Sequence, residues 1–367
     1  MKTKQRKTHK EQALGMPSRV LLIRLGALGD IIHTLPVAAT LRAAFPSLHI
    51  AWLVDARWRP LLDLVDGVDS VLSIPRAGWK DLRHGVARVR REKFETVVDA
   101  QGLYKSAVLA RLSGAPVRIG FHRASARESG AAALYNVRVS PPFGHRIDKN
   151  LALAGALGAP PLASATPVSR LFPLHIPAAA EATVRQMLRS HGVDTYFMLS
   201  PGGGWRSKCW PPERYGELHR RLAERLGYAG VVTFGPGERP LAEMVRNAAG
   251  SPQPLLLEMD LPQLLAAIHG AQFFVGADTG PLHVAVALGT PVVGLYGPTD
   301  PAQTGPYSHD DIVVRNARPH ETTYSRGASY APSMLAITVE QVEEAVIERL
   351  HAVALAAARS RVRVVPS

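Results

Sequence analysis

The chain has 367 residues, 46% hydrophobic and 20% charged, enough for two domains of about 150 residues each with the composition of an ordinary globular protein. No apolar run reaches the roughly 20 residues of a membrane span, Met1 to Ser18 lacks the apolar segment of a secretory signal, and the lone Cys209 with no Cys/His cluster suits a reducing cytosol without disulfides. The net charge of +13 points to an acidic partner such as phosphate or an anionic membrane face; aromatics at 6% and the lack of any base-reading motif argue against nucleic acid.

Arg19 to Leu25 reads as a short apolar strand that runs into the loop Gly26-Ala27-Leu28-Gly29-Asp30 and then a helix, Ile31 to Ala44, stopped by Pro46. A glycine loop between first strand and first helix is the arrangement of dinucleotide-type folds, but Gly-x-x-Gly-Asp lacks the Gly-x-Gly-x-x-Gly fingerprint of a tight cofactor grip. Strands follow at Ile50 to Val54, Val71 to Ile74, Thr96 to Asp99, Val117 to Gly120 and Asn136 to Val139, with helical patterns between most of them. That alternation predicts a parallel sheet covered on both faces. Basic residues concentrate in this half, and the Pro-, Ala- and Ser-rich stretch Leu157 to Pro177 reads as a linker.

The second half repeats the pattern, with strands at Tyr196 to Ser200, Gly230 to Phe234, Pro254 to Leu257, Phe273 to Gly276 and Val292 to Tyr296. Helical patterns at Pro212 to Arg225, Arg239 to Ala248, Leu261 to Ala271 and Pro281 to Leu288 lie between them, and an amphipathic helix runs from Val339 to about Ala358. Three loops carry candidate chemistry. Gly202-Gly203-Gly204 lets backbone amides approach a phosphate, with Lys208 supplying charge. Gly235-Pro236-Gly237-Glu238 offers a carboxylate for ribose hydroxyls, or is a surface turn. Asp278-Thr279-Gly280-Pro281 opens a helix whose free amides and dipole favour an anion, and it fits a capping turn as well.

Asp30, at the start of a helix after a glycine loop, should be ionised and able to accept a proton; it fits an ordinary helix-capping role equally. His33 and Thr34, one turn on, read as supporting or solvated groups, and Cys209 as a small filler.

Taken together, Gly26-x-x-Gly29-Asp30-x-x-His33-Thr34-Leu35-Pro36, Asp99-Ala100-Gln101-Gly102-Leu103-x-Lys105-Ser106-Ala107, Lys208-x-Trp210-Pro211 and Asp278-Thr279-Gly280-x-x-His283 with Tyr296-Gly297-Pro298-Thr299-Asp300-Pro301 resemble the bacterial lipopolysaccharide heptosyltransferases over residues 18 to 350. The segments Asp99 to Ser106 and Ala126-Arg127-Glu128…Leu134-Tyr135-Asn136 are similar to members that add the first heptose to a Kdo residue on lipid A; Pro201-Gly202 ahead of Lys208 is more like members that add a later one.

The resemblance implies an α/β GT-B fold of two Rossmann-like doubly wound domains facing a central cleft: a tail at 1–17, an acceptor domain at 18–172, a donor domain at 173–335, a helix at 336–358 packing back toward the first domain, and a tail at 359–367. It implies inverting, metal-free transfer from ADP-L-glycero-D-manno-heptose by an enzyme on the cytoplasmic face of the inner membrane, without a cofactor. Asp30 matches the general base. Lys208, with Gly203, Gly204 and the amides of Thr279, Gly280 and the Pro281 turn, would hold the diphosphate. Asp278 and His283 would face the heptose, Glu238 the ribose and Met259 the adenine. Gly29, Asp30, Arg127, His145 and Lys149 would meet the anionic acceptor. A nucleotide-sugar epimerase of the same shape, or a non-catalytic basic binding protein, are the competing readings; the first would turn over sugar nucleotide with no acceptor.

Overall fold

The protein is described from a computed structural model covering residues 17–75, 79–162 and 166–362. The expected tail at 1–17, apart from its last residue, and the final residues 363–367 lie outside the described residues.

Six strands build the first sheet: β1 (Arg19–Ile23), β2 (His49–Asp55), β3 (Ser70–Ile74), β4 (Thr96–Asp99), β5 (Val117–Phe121) and β6 (Val137–Val139). All their pairings are parallel, in the order β3-β2-β1-β4-β5-β6. Helices on both faces bury the central strands completely, which is why Ile50 to Val54 and Val20 to Ile23 are continuous apolar runs rather than alternating ones. Each such Val, Leu or Ile contributes about 1.5–3 kcal/mol on burial.

The second sheet comprises β7 (Tyr196–Ser200), β8 (Ala229–Thr233), β9 (Leu255–Leu257), β10 (Phe274–Ala277), β11 (Val292–Leu295) and β12 (Ile312–Val314). Its order, β12-β11-β10-β7-β8-β9, is the first sheet's order read from the other edge. In each sheet the winding reverses beside the first strand, between β1 and β4 and between β7 and β10. Crevices outside the carboxyl ends of such strands are where open α/β sheets bind ligands.

Several expectations are corrected. The helix predicted over Ile31 to Ala44 is two, Leu28–Ile32 and Leu35–Ala44. Pro36 falls in the first turn of the second; it can donate no bond to the carbonyl of Ile32 and its ring crowds that group, so the helix restarts. The supposed linker is docked. Phe172 is buried, Asp66 N donates to the Pro173 carbonyl and His175 N to that of Leu64, and a helix the composition concealed, Ala178–Arg189, follows. The last helix, Val339–Val362, packs on the helix Pro212–Leu226 and on β11 and β12, with Arg221 and Arg225 pairing with Glu340 and Glu343, instead of returning to the first lobe.

Candidate active site

The carboxyl ends of β1 and β4 face those of β7 and β10 across a cleft of about 620 Å³. The segment after β1 contributes Gly26 from its loop and Gly29 and Asp30 from the short helix Leu28–Ile32; the segment after β4, Gln101, Leu103 and Lys105; the loop after β5, Arg127. From the other lobe come Gly204, Trp205 and Lys208 after β7, and Asp278, Thr279, Gly280 and His283 after β10.

The lobes meet closely enough that glycine is required twice. A Cβ on Gly29 would lie 2.5 Å from the His283 ring, and one on Gly280 would lie 2.7 Å from the Leu28 side chain. The short helix Leu28–Ile32 therefore lies against the helix Gly280–Leu288, whose first-turn N–H groups lack intrahelical partners and open toward the cleft.

Asp30 is surrounded by three guanidiniums. Arg24 Nη2 lies 2.7 Å from Oδ1 and Arg146 Nη1 3.2 Å from the same oxygen, while Arg127 Nη1 lies 3.7 Å from Oδ2. The Ala27 N–H also donates to Oδ2 at 3.3 Å, so the capping reading of this residue holds alongside its place in the cleft. Burial by itself would push the carboxyl up, but Arg24, Arg146 and Arg127 outweigh it and hold it down at about 2. Asp30 is thus ionised, as expected from sequence, but caged into a weak base.

Asp278 is held differently. Lys208 Nζ donates to its Oδ2 at 2.5 Å and to its carbonyl at 3.2 Å, and His283 Nε2 donates to its Oδ1 at 3.2 Å. Against the upward push of burial, the His283 bond and the Lys208 charge keep its carboxyl well below the usual range. On its other side His283 Nδ1 accepts from His33 Nε2 at 3.2 Å, a direction assigned from the network. His33, expected to be supporting or solvated, is buried, and burial first and the adjoining His283 ring second keep it neutral. Asn150 fixes it from behind by donating to its carbonyl at 2.9 Å. The chain His33–His283–Asp278–Lys208 thus crosses from one lobe to the other.

Other expected site residues are not themselves in the cleft lining. Gly203 packs beside Thr279 and beside Cys209, which is buried, its thiol pushed up chiefly by that burial. Glu238 accepts from the Gly235 N–H at 2.8 Å and abuts Gly202, next to the glycine loop but outside the cleft lining. Met259 packs against the core beyond β9, and Pro281 occupies the first turn of its helix. His145, expected at the acceptor, donates from Nε2 to the Gly305 carbonyl at 3.0 Å and accepts at Nδ1 from Ile147 N, so it bolts the lobes together as a neutral ring. Lys149 lies over the Phe143 ring, 5.6 Å from its centroid, away from the cleft lining.

Arg24 and Arg146 escaped the sequence reading. Both left a signal: a charge at the end of an apolar strand needs a buried partner, and an arginine beginning a helix opposes the dipole. Among the described residues, no cluster of three or more His, Cys, Asp or Glu could hold a metal ion, and no helix is long and apolar enough to cross a membrane.

Comparisons with known proteins show the family and the fold. The family model described as glycosyltransferase family 9 (heptosyltransferase) matches residues 83–333. Lipopolysaccharide heptosyltransferase 1 of Pseudomonas aeruginosa is 30% identical over 334 residues, covering 86% of this chain and 88% of its own. Lipopolysaccharide heptosyltransferase 3 of Escherichia coli is 29% identical over 300 residues, covering 77% and 85%. A heptosyltransferase of E. coli solved with ADP superposes with a TM-score of 0.73 over 90% of this chain and 99% of its own, at 24% identity, and shares the two-lobed fold. The chain therefore belongs to glycosyltransferase family 9, the heptosyltransferases, and is a glycosyltransferase of GT-B architecture.

Proposed function

We propose that the protein transfers heptose from ADP-L-glycero-D-manno-heptose to the Kdo residue of Kdo-lipid A, with inversion, Asp30 acting as the general base. The observation that carries this reading is that Asp30 on one lobe and Lys208 with the helix start at Thr279 and Gly280 on the other line a single cleft. It is supported by the names of the relatives and by the motifs Asp99 to Ser106 and Ala126 to Glu128, which are similar to those of first-heptose members.

In the transfer, the acceptor hydroxyl oxygen forms its bond to the anomeric carbon while the bond from that carbon to the β-phosphate oxygen breaks. The electron pair of the broken bond leaves with ADP, and the hydroxyl proton passes to Asp30. Lys208 suits the leaving group because an ammonium has three donors and Asp278 takes two, leaving one for a phosphate oxygen. The first-turn amides of the helix Gly280–Leu288 add fixed dipoles where charge develops, the kind of help that usually dominates such a step. Asp278, engaged by Lys208 and His283, orients these two toward the sugar nucleotide. Arg127, Arg146, Arg57 and Lys105 give the first-lobe wall the charge to receive an anionic acceptor, presented at the cytoplasmic membrane face where such a glycolipid is anchored.

The test is a transfer assay offering radiolabelled ADP-heptose with Kdo-lipid A and, separately, with heptosyl-Kdo-lipid A. Label should enter the first acceptor. Label entering only the second would move the protein to a later step, and consumption of ADP-heptose without either acceptor would favour the epimerase reading.

A further inference from the structure

Asp30's three cations are not equivalent. Arg24 is fixed: it is 4% exposed, and its Nη1 donates to the Ala100 carbonyl while Nη2 holds Oδ1. Arg146 and Arg127 are 30% and 54% exposed, lie farther away at 3.2 and 3.7 Å, and line the cleft that an acceptor must enter. Each reaches Asp30 through a single nitrogen, whereas a free carboxylate offers two oxygens that match a guanidinium bidentately, a stronger and more directional pairing. An acceptor sugar acid brought to Asp30 therefore competes with it for the same two side chains.

We propose that Arg127 and Arg146 mask Asp30 in the acceptor-free protein and are drawn off it by the acceptor's own carboxylate, so that the base becomes competent only when an anionic acceptor is in place. This rests on the proposed function and on the role it gives Asp30. Three cations around one carboxylate make it a poor proton acceptor; with two transferred to the substrate, Asp30 keeps Arg24 and the Ala27 N–H as its partners. Lys105 and Arg57 remain on the cleft wall and are not in the cage. Bonds made and broken in the transfer are unchanged; what the acceptor alters is the availability of the carboxylate oxygens. Selection against neutral sugars then falls on turnover as well as on binding.

The experiment compares a Kdo glycoside with its methyl ester, in which the carboxylate is neutralised, for the wild type and the double variant R127Q/R146Q. In the wild type the ester should show kcat at least about tenfold below the free acid at saturation, a part of the roughly 10² to 10⁴-fold that general-base help is worth. In the variant, kcat for the ester should rise several-fold above its wild-type value while KM for the free acid increases. Arginines that only bind the acceptor would leave the ester's kcat unchanged or lower in the variant, and that result overturns the proposal. Unaltered ADP affinity and thermal midpoint establish that the variant is folded; should it not fold, equal wild-type kcat for ester and acid overturns the proposal by itself. No transfer to the free acid at all would instead sink the proposed function.

Discussion

Two carboxylates, Asp278 buried and Asp30 partly buried, look into one cleft from opposite lobes, and both have pKa values held below the ordinary range, yet by different means. Asp278 and its partners are all inside, with side-chain exposures of 5% for Asp278, 12% for Lys208 and 7% for His283. Asp30 combines one buried guanidinium with two that reach water. A depressed carboxyl is common to both; what separates them is the exposure of their partners. Asp278 is part of a strut that continues through His283 to His33, whereas the proposal makes Asp30 a carboxylate whose cage opens.

That contrast can be broken by substitution. Asp30→Ala should cut kcat by about 10² to 10⁴-fold while leaving ADP affinity close to wild type, because the proposed role brings Asp30 to the acceptor's proton alone. Turnover near wild type by steady-state transfer assay would remove it from the chemistry. Lys208→Ala should act on the other lobe, lowering kcat by about 10² to 10³-fold and weakening ADP binding together, since the proposed role puts it on the leaving group in both states. It also strips Asp278 of a buried partner, which typically costs about 3–5 kcal/mol, so the thermal midpoint should fall. Unchanged calorimetric ADP affinity would rule out this role.

Smaller effects sharpen the comparison. Gly280→Ala would drive a Cβ into Leu28, and overpacking of that kind costs about 1–3 kcal/mol, here at the contact between lobes. A lower denaturation midpoint with slower transfer is expected; an unaffected midpoint would mean that the lobes separate freely there. Acid titration should show two windows. Buried His33 stays neutral while the unfolded chain gains a proton, so stability declines as pH drops below about 6.5. Asp30 is held down at about 2, so its contribution is complete above about 4 and lost as pH falls toward 2. Urea midpoints measured down the pH scale should therefore decline less steeply below pH 4 in Asp30→Ala than in the wild type, and parallel curves would contradict the caging.

How much of this was legible in the sequence follows from where the information resides. Central strands such as β2 and β7 announce themselves because burial on both faces demands an unbroken apolar run. β12 was missed because it has three residues preceded by Asp310 and Asp311, a pattern indistinguishable from a loop. The helix Ala178–Arg189 went unread because it follows directly on the Ala-containing stretch Leu157 to Pro177, read as a linker, and itself opens with three alanines, although alanine is the strongest helix former. At the site, residues fixed by their own loop, Asp30, Lys208 and Asp278 to Gly280, were found from local pattern. Arg24 and Arg146 were not, because each acquires its meaning from a residue at least six positions away, and for Arg146 more than a hundred. His145 and Lys149 were assigned to the acceptor by charge and resemblance, while the structure gives His145 to the interlobe contact and Lys149 to an aromatic ring.

The most direct test of the whole account is a crystal structure of the protein with ADP bound. A diphosphate is expected within hydrogen-bond reach, about 3 Å, of Lys208 Nζ and the Gly280 amide, its terminal phosphate facing Asp30 across the cleft. ADP seated instead on the Gly26 to Gly29 loop of the first lobe, or with its diphosphate turned away from Asp30, would contradict it.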